Sequence, residues 1–243
     1  DPSVTVEVFF DAEDEGRSYA GTVVSTAAGD WTLNVPLVDF PANLLNLTAT
    51  QLSGGYTSEF SAPQAVPFGP YEVINTNDTG AGSMRWAMSN ANDAAGINTV
   101  TFNIPVSDPG YFDDGGNERW TIQPVTPMPE ITETVIIDAT TQPGSGNFRI
   151  GLDGQGTLSE GLDVGDGSGG TEIYGFYISG FNNGIDLFYL GGGGSVVGSP
   201  GKGNTIVSCS GAGIYGALSD NHTIQGNFLG TDENGNAGLG NNR

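Results

Sequence analysis

Carboxylates are the side chains in this sequence that are best suited to chemistry. The 243 residues include 28 Asp and Glu, six Lys and Arg and one His, which gives a formal net charge of −22. Two carboxylates that face each other can cleave a glycosidic bond, and Asp153 and Asp186 are the catalytic candidates for a glycan-cleaving enzyme. A polysaccharide lyase would also need a nearby Arg or Lys base, which the sequence supplies only sparsely. No acidic pair is marked out by its spacing, so we expect a non-enzymatic protein and keep a polysaccharide lyase or glycoside hydrolase as the alternative.

Three acidic segments are candidates for binding Ca²⁺, a hard cation that prefers several oxygen ligands at once. The candidate ligands are Asp11, Glu13 and Asp14 in the first segment, Asp163 and Asp166 in the second, and Asp232 and Asn234 in the third. None of these segments completes a twelve-residue EF-hand loop that ends in Glu. Solvated loop charges are the alternative interpretation, and Ca²⁺ is the only cofactor for which we propose ligands.

Aromatic side chains are concentrated between positions 174 and 189, where six occur. Three of them, Tyr174, Tyr177 and Tyr189, are candidates for stacking against the sugar rings of a surface glycan. The alternative interpretation is that stacked repeats align these rings inside the fold as aromatic ladders.

Other functional classes are excluded by composition. One Cys and one His cannot supply a tetrahedral zinc site, and no nucleophile motif accompanies His222. With so few basic residues, the chain has no surface that could neutralise nucleic-acid phosphates. No run of about 18 apolar residues occurs, so we expect no membrane insertion by this segment.

Glycine and proline divide the sequence into zones. Six Gly lie in residues 1–69, six in 70–143 and 28 in 144–243. Short runs that alternate apolar and polar residues, at 4–8, 31–35 and 45–49, predict antiparallel strands in the first zone. Three Pro between positions 62 and 70 favour an extended spacer over a strand or helix. We therefore predict a domain at 1–63, a linker at 64–70 and a second domain at 71–243.

The second domain begins with one predicted helix. Ser83 is a suitable N-cap and Gly96 ends the pattern. The face between them is apolar, with Met84, Ala87, Met88 and Ala91 at helical spacing. The stretch 107–120 is predicted to be a loop.

Beyond the helix the sequence is imperfectly repetitive. Residues 171–178 recur about 51 positions later as residues 222–229, with short β-branched runs between them. Such spacing suits coils of roughly 20 to 25 residues stacked in parallel, with Gly and Asn at the corners. This pattern predicts a parallel β-helix.

Several segments resemble those of large secreted bacterial proteins with right-handed parallel β-helix repeats, which the chain enters through a CSLREA-type motif. The similar segments are residues 73–88, 98–105, 137–144 and 203–208. The chain departs from the motif with Gly82 at the place of its Cys, Met84 for Leu and Ala139 where Gly is common. Residues 29–32, 47–50 and 57–61 resemble, more loosely, the closing half of a bacterial Ig-like module.

The resemblance implies an all-β fold, in which a partial Ig-like β-sandwich precedes a right-handed parallel β-helix with a short N-terminal capping helix. It also implies a fragment of a longer chain that is secreted or displayed on the cell surface. We expect a non-enzymatic structural or adhesive segment whose partners are neighbouring modules, surface glycans or like subunits. The alternatives are a glycan-binding or glycan-cleaving β-helix and a subunit of an extracellular filament or sheath.

Overall fold

The computed structural model divides into two compact units, Asp1–Pro70 and Tyr71–Arg243. It describes residues 4–11, 18–26, 46–53, 56–58, 61, 64–65, 69–113, 118–144, 149–187, 194–217, 220–232 and 238–242. Within these ranges the chain is β-rich, with parallel and antiparallel sheets and a single α-helix.

The first unit contains an antiparallel sheet. Its strands are β1 (Thr5–Asp11), β2 (Ser18–Val24), β3 (Asn46–Ser53), β4 (Tyr56–Thr57) and β5 (Gln64–Ala65). Their order is β2-β1-β3-β4, with β5 also paired to β3. The strands predicted at 4–8 and 45–49 are confirmed, whereas residues 31–35 lie outside the described residues. The prediction of a spacer instead of a strand was wrong at Gln64 and Ala65, because these two residues pair with β3 in the sheet.

The helix α1 (Met84–Asp93) forms near the start of the second unit, where the sequence predicts it, and follows the short strand Glu72–Val73. The Ser83 hydroxyl accepts a hydrogen bond from the Trp86 N–H at 3.2 Å, which confirms the N-cap. The side chains on one face of the helix are buried. Arg85 forms an ion pair with Asp78 and donates to two backbone carbonyls of the loop at 126–127, so it ties the helix to the following strands. No helix in the described part of the chain is long and apolar enough to cross a membrane.

Two sheets built mainly from parallel strands make up the rest of the second unit. Their strands are β6 (Glu72–Val73), β7 (Asn98–Phe102), β8 (Tyr111–Asp113), β9 (Glu118–Ile122), β10 (Val135–Asp138), β11 (Ile150–Asp163), β12 (Glu172–Tyr174), β13 (Phe176–Asp186), β14 (Val196–Val197), β15 (Thr205–Val207), β16 (Ile214–Tyr215), β17 (Thr223–Ile224) and β18 (Phe228–Leu229). The first sheet has the order β17-β14-β12-β10-β7-β6 and the second the order β18-β15-β13-β11-β9-β8, with β16 also paired to β13. The predicted loop at 107–120 was wrong in part, because β8 and β9 pair there as antiparallel strands.

From β9 to β15 the chain alternates between the two sheets, and we call one passage through both sheets a circuit. Parallel register stacks similar residues from successive circuits, which builds the core from apolar columns. One column contains Val100, Ile137, Ile173 and Val197, and another contains Ile122, Leu152, Ile178 and Ile206. All eight side chains are buried. Burial of these aliphatic groups is the main stabilising contribution to the stack.

Amide side chains complete the hydrogen bonding at the corners between the sheets. The buried side chain of Asn204 donates to the Ile173 carbonyl at 3.0 Å and accepts from the Phe176 N–H at 3.0 Å. It also donates to the amide oxygen of Asn227, the corresponding residue of the next circuit, at 2.9 Å. Since a buried backbone group without a partner is costly, these amides fix both the corner and the register of the circuits.

Candidate functional site

Four polar side chains line up at the end of β11 and β13, one from each of four successive parallel segments. Asp163 pairs with Asp186 in register, and Asp186 pairs with Tyr215. The residue after Glu130 forms a parallel bridge with the residue after Asp163, which aligns these two carboxylates as well. We call Glu130, Asp163 and Asp186 the acidic column.

The acidic column lines a cavity of about 520 Å³ together with Glu160 and Tyr215. Glu160 reaches it from the same strand as Asp163, three residues earlier. The volume is within the usual range of pockets that bind small molecules. The parallel register therefore brings four carboxylates from three separate parts of the sequence to one concave surface.

Backbone hydrogen bonds hold this surface in place. The Ile131 N–H donates to the Asp163 carbonyl at 2.8 Å, and the next circuit repeats the contact when the Val164 N–H donates to the Asp186 carbonyl at 2.9 Å. Gly165 leaves room for the Glu130 side chain, because a Cβ at this position would lie 1.9 Å from its carboxylate oxygen Oε1. The positions of the carboxylates are thus set by the sheet and by one glycine.

The carboxylates repel one another. Burial raises the pKa of Asp163 to about 6, and the negative charges of Asp186, Glu130 and Glu160 add to the effect. Burial and then the charge of Asp186 also raise the pKa of Glu160. Among the described residues that line the cavity, none is Lys, Arg or His. A proton or a positively charged ligand would relieve this repulsion.

A second cavity of about 450 Å³ has neutral polar walls. Its lining residues are Asn182, Asn183, Ser210, Gly211, Ala212 and Tyr215. The Asn183 side chain donates to the Asp186 carboxylate at 3.2 Å and accepts from the Ala212 N–H at 3.1 Å. The Ser210 hydroxyl donates to the Asn182 amide oxygen at 3.3 Å. This cavity presents amide and hydroxyl groups where the first presents carboxylates.

Tyr215 joins the two cavities, because it lines both of them. It is 37% exposed, although it lies in a strand of the parallel sheet. We call the two cavities together with Tyr215 the polar groove. An accessible aromatic ring between hydrogen-bonding side chains is suited to a ligand that has both an apolar face and many hydroxyl groups.

The two catalytic candidates do not lie together in the polar groove. Asp186 belongs to the acidic column and is only 7% exposed. Asp153 pairs with Ser179, near the start of β13, and does not line the polar groove. Its carboxylate accepts hydrogen bonds from the Gln155 N–H at 3.0 Å and from the Gln123 side chain at 3.1 Å. The Asp153 carboxylate therefore stabilises the backbone turn at Gln155.

The aromatic candidates are engaged by charged neighbours. The Tyr174 hydroxyl donates to Glu172 at 2.7 Å, and burial followed by the Glu172 interaction raises the pKa of Tyr174 to about 12. The Arg119 guanidinium lies 3.8 Å from the centroid of the Tyr177 ring, a cation–π contact that occupies one face of the ring. Tyr189 lies outside the described residues. Neither described tyrosine lines the polar groove.

The calcium candidates fall into separate parts of the structure. Asp163 lies in the acidic column, whereas Asp166 and Asp232 do not line the polar groove. The backbone of Asp11 ends β1, and Glu13, Asp14 and Asn234 lie outside the described residues. Among the residues that the structure places, no group of three or more His, Cys, Asp and Glu side chains is arranged to hold a metal ion.

Most of the polar groove is not predicted from the sequence, including Glu130, Glu160 and Tyr215. One signal in the sequence could have found part of it. Asn204 and Asn227 are 23 positions apart and contact each other, and Asp163 and Asp186 have the same separation. A search of the sequence for carboxylates 23 positions apart would have predicted that Asp163 and Asp186 lie next to each other on adjacent strands.

No family model matches the chain, and no curated protein or solved structure is significantly similar to it. The chemistry of the polar groove must therefore be inferred from its own side chains.

Proposed function

We propose that the chain is an adhesive segment of a large secreted or cell-surface bacterial protein, and that it binds carbohydrate chains in the polar groove. In this proposal the second unit is a right-handed parallel β-helix, and the first is part of an Ig-like module. The observation that carries the binding function is the position of Tyr215, which lies between a carboxylate-lined cavity and an amide-lined cavity.

The parallel register supports the β-helix. Successive strands alternate between two sheets, and equivalent residues of successive circuits pair in parallel. Asn204 and Asn227 stack at equivalent corners, as expected where each circuit repeats the backbone path of the previous one. A stack of this kind is rigid and presents the same surface from circuit to circuit, which suits an adhesive protein.

The chemistry of the groove supports a carbohydrate ligand. Sugar rings present apolar faces that stack on tyrosine, and their hydroxyl groups both donate and accept hydrogen bonds. The Asn182 amide and the Ser210 hydroxyl can also both donate and accept hydrogen bonds, and the carboxylates can accept them from sugar hydroxyl groups. Two cavities on either side of one ring are suited to consecutive sugars of an extended chain.

Binding of the protein to a panel of neutral, acidic and amino-sugar oligosaccharides tests the proposal, with each affinity measured by calorimetry. We expect Tyr215→Ala to weaken binding at least tenfold, because the stacking surface is lost, and Tyr215→Phe to retain most of the affinity. Tyr56→Ala is the matched control, because Tyr56 is 82% exposed and lies in the other unit. A panel without any ligand, or equal binding by the Tyr215→Ala variant, would argue against a glycan-binding groove.

A glycan-cleaving enzyme is the second candidate, and one observation favours it. Asp163 and Asp186 are paired on adjacent strands, which lie about 4.8 Å apart in a sheet. Retaining glycosidases hold their two carboxyl groups roughly 5 Å apart, and the raised pKa of Asp163 suits a general acid. Release of reducing ends from the same panel, abolished by Asp186→Asn, would establish hydrolysis. Binding of an oligosaccharide without release of reducing ends would argue against hydrolysis and support the adhesive function.

A further inference from the structure

Charge differs sharply between the two cavities of the polar groove. One is lined by Glu130, Glu160, Asp163 and Asp186, and the other by neutral amide, hydroxyl and small side chains. Tyr215 belongs to both cavities, so a ligand that stacks on this ring has a carboxylate-rich surface on one side only. The polar groove therefore distinguishes ligands by their charge as well as by their shape.

The carboxylates lack a compensating cation among the described lining residues of the groove. Asp186 is nearly buried and has a neutral donor in Asn183, at 3.2 Å. Burial, and then the negative charges of Asp186, Glu130 and Glu160, raise the pKa of Asp163. A ligand that carries ammonium groups would gain charge-assisted hydrogen bonds here, whereas a uronate or sulfate would add to the repulsion.

The spacing of the acidic column also matches a polymer. Glu130, Asp163 and Asp186 come from successive circuits, so they recur at the strand separation of about 4.8 Å. This interval is close to the length of one sugar unit in an extended chain. Because successive sugars of a β-1,4-linked chain are turned by about half a rotation, amino groups on the same side recur at every second sugar, and such a chain could place them against alternate carboxylates of the acidic column.

We infer that the polar groove selects glycans that carry free amino groups, of the deacetylated amino-sugar class, over acidic glycans and over their N-acetylated counterparts. The inference rests on the proposed glycan-binding function and adds the class of ligand. Tyr215 stacks on a sugar ring, Asn182 and Ser210 bind hydroxyl groups, and the acidic column binds the ammonium groups.

The test compares three linear hexasaccharides by calorimetry at pH 7 in low salt with EDTA. The first is a β-1,4-linked glucosamine hexamer, the second is its fully N-acetylated form, and the third is a galacturonate hexamer. We expect the amine form to bind at least tenfold more tightly than the acetylated form, and this preference to shrink as salt screens the charges. The galacturonate hexamer should bind most weakly.

Variants that remove one negative charge test whether the acidic column causes the preference for the amine form. Asp163→Asn and Glu130→Gln should each reduce the affinity for the glucosamine hexamer about five- to tenfold, and should reduce the affinity for the acetylated hexamer much less, because the amide oxygen still accepts hydrogen bonds from hydroxyl groups. Asp93→Asn is the matched control, because Asp93 is an exposed carboxylate at the end of α1 that does not line the groove. It should change neither affinity.

Three outcomes would overturn the inference. Equal binding of the amine and acetylated hexamers, sensitive to Tyr215→Ala, would refute the charge preference and leave a glycan-binding groove intact. Preferred binding of galacturonate when Ca²⁺ replaces EDTA would assign the carboxylates to a cation that bridges to an acidic glycan. Failure of all three hexamers and of the wider panel to bind would refute the proposed function and this inference together.

Discussion

Replacement of Asp163 by Asn should stabilise the protein at neutral pH, and most of that gain should disappear in acid. The pKa of Asp163 is raised from its ordinary value of 3.8 to about 6 by burial and by Asp186, Glu130 and Glu160. The folded protein therefore retains a proton on Asp163 at pH values where the unfolded chain has lost it. Above pH 6 the charged form destabilises the fold, and the penalty is relieved as the pH falls from about 6 towards 4.

The magnitude follows from the shift in pKa. About two units at 1.36 kcal/mol per unit would give about 3 kcal/mol for a fully buried group. Asp163 is only half-buried, so solvent screening reduces the expected penalty to about 1–2 kcal/mol. For a unit of this size, the Asn variant should raise the Tm at pH 7.5 by about 2–8 °C. An amide has a similar shape and does not titrate, so packing should change little.

The assay is thermal unfolding at pH 7.5 and pH 4.5, followed by the fluorescence of Trp86 and Trp120, which are buried in the unit that contains the groove. The difference in Tm between wild type and Asp163→Asn should be large at pH 7.5 and should fall by more than half at pH 4.5. Asp93→Asn should show no comparable dependence on pH. A lower Tm for Asp163→Asn at pH 7.5, or the same difference at both pH values, would refute electrostatic repulsion in the acidic column.

Three further substitutions test the parts of the fold that position the groove, each by chemical unfolding. Asn204→Leu should lower the free energy of unfolding by about 2 kcal/mol, because the buried Phe176 N–H loses its partner and the Ile173 carbonyl retains only the Gly198 N–H. Gly175→Ala should cost more than Gly96→Ala: both glycines have positive φ, but only at Gly175 would a Cβ clash, at 2.5 Å from Thr140 Cγ2. Ser83→Ala should cost about 1 kcal/mol, since the cap of α1 is lost.

These substitutions have their own controls. Asn204→Asp retains an acceptor for the Phe176 N–H but loses the donor to the Ile173 carbonyl, so both Asn204 variants should be destabilised if the two bonds matter. Equal costs for Gly175→Ala and Gly96→Ala would show that backbone strain, and not the close contact, decides the choice of glycine. Ser83→Thr should retain the cap, and a loss equal to that of Ser83→Ala would count against it.

Local signals in the sequence predicted the local structure well. Ser83 and the apolar spacing that follows it predicted α1, because a helix is specified by residues three and four positions apart. The hairpin of β8 and β9 was missed, since two short strands carry little periodicity and are held by pairing that becomes visible only in three dimensions. The β5 strand was missed for the same reason.

The candidate site was harder to predict than the fold. Asp186 was selected as a carboxylate, but its neighbour Asp163 was selected only for calcium, and Glu130, Glu160 and Tyr215 were not selected. Their proximity depends on the register between strands that are far apart in sequence. A one-residue change of register would turn every side chain to the other face of the sheet. No local pattern around Asp163 or Tyr215 carries that information.

The contact between Asn204 and Asn227 also constrains how such a chain can change during evolution. Contacts between neighbouring circuits join residues 36 positions apart at Val135 and Thr171, but only 23 positions apart at Asn204 and Asn227. Circuits of different length thus share one register, and the extra residues are accommodated outside the paired strands. Insertions and deletions in the connecting segments are therefore compatible with the stack. A deletion that moved Asn204 out of its corner would misalign every later circuit, so length should vary in the connections while the corner amides persist.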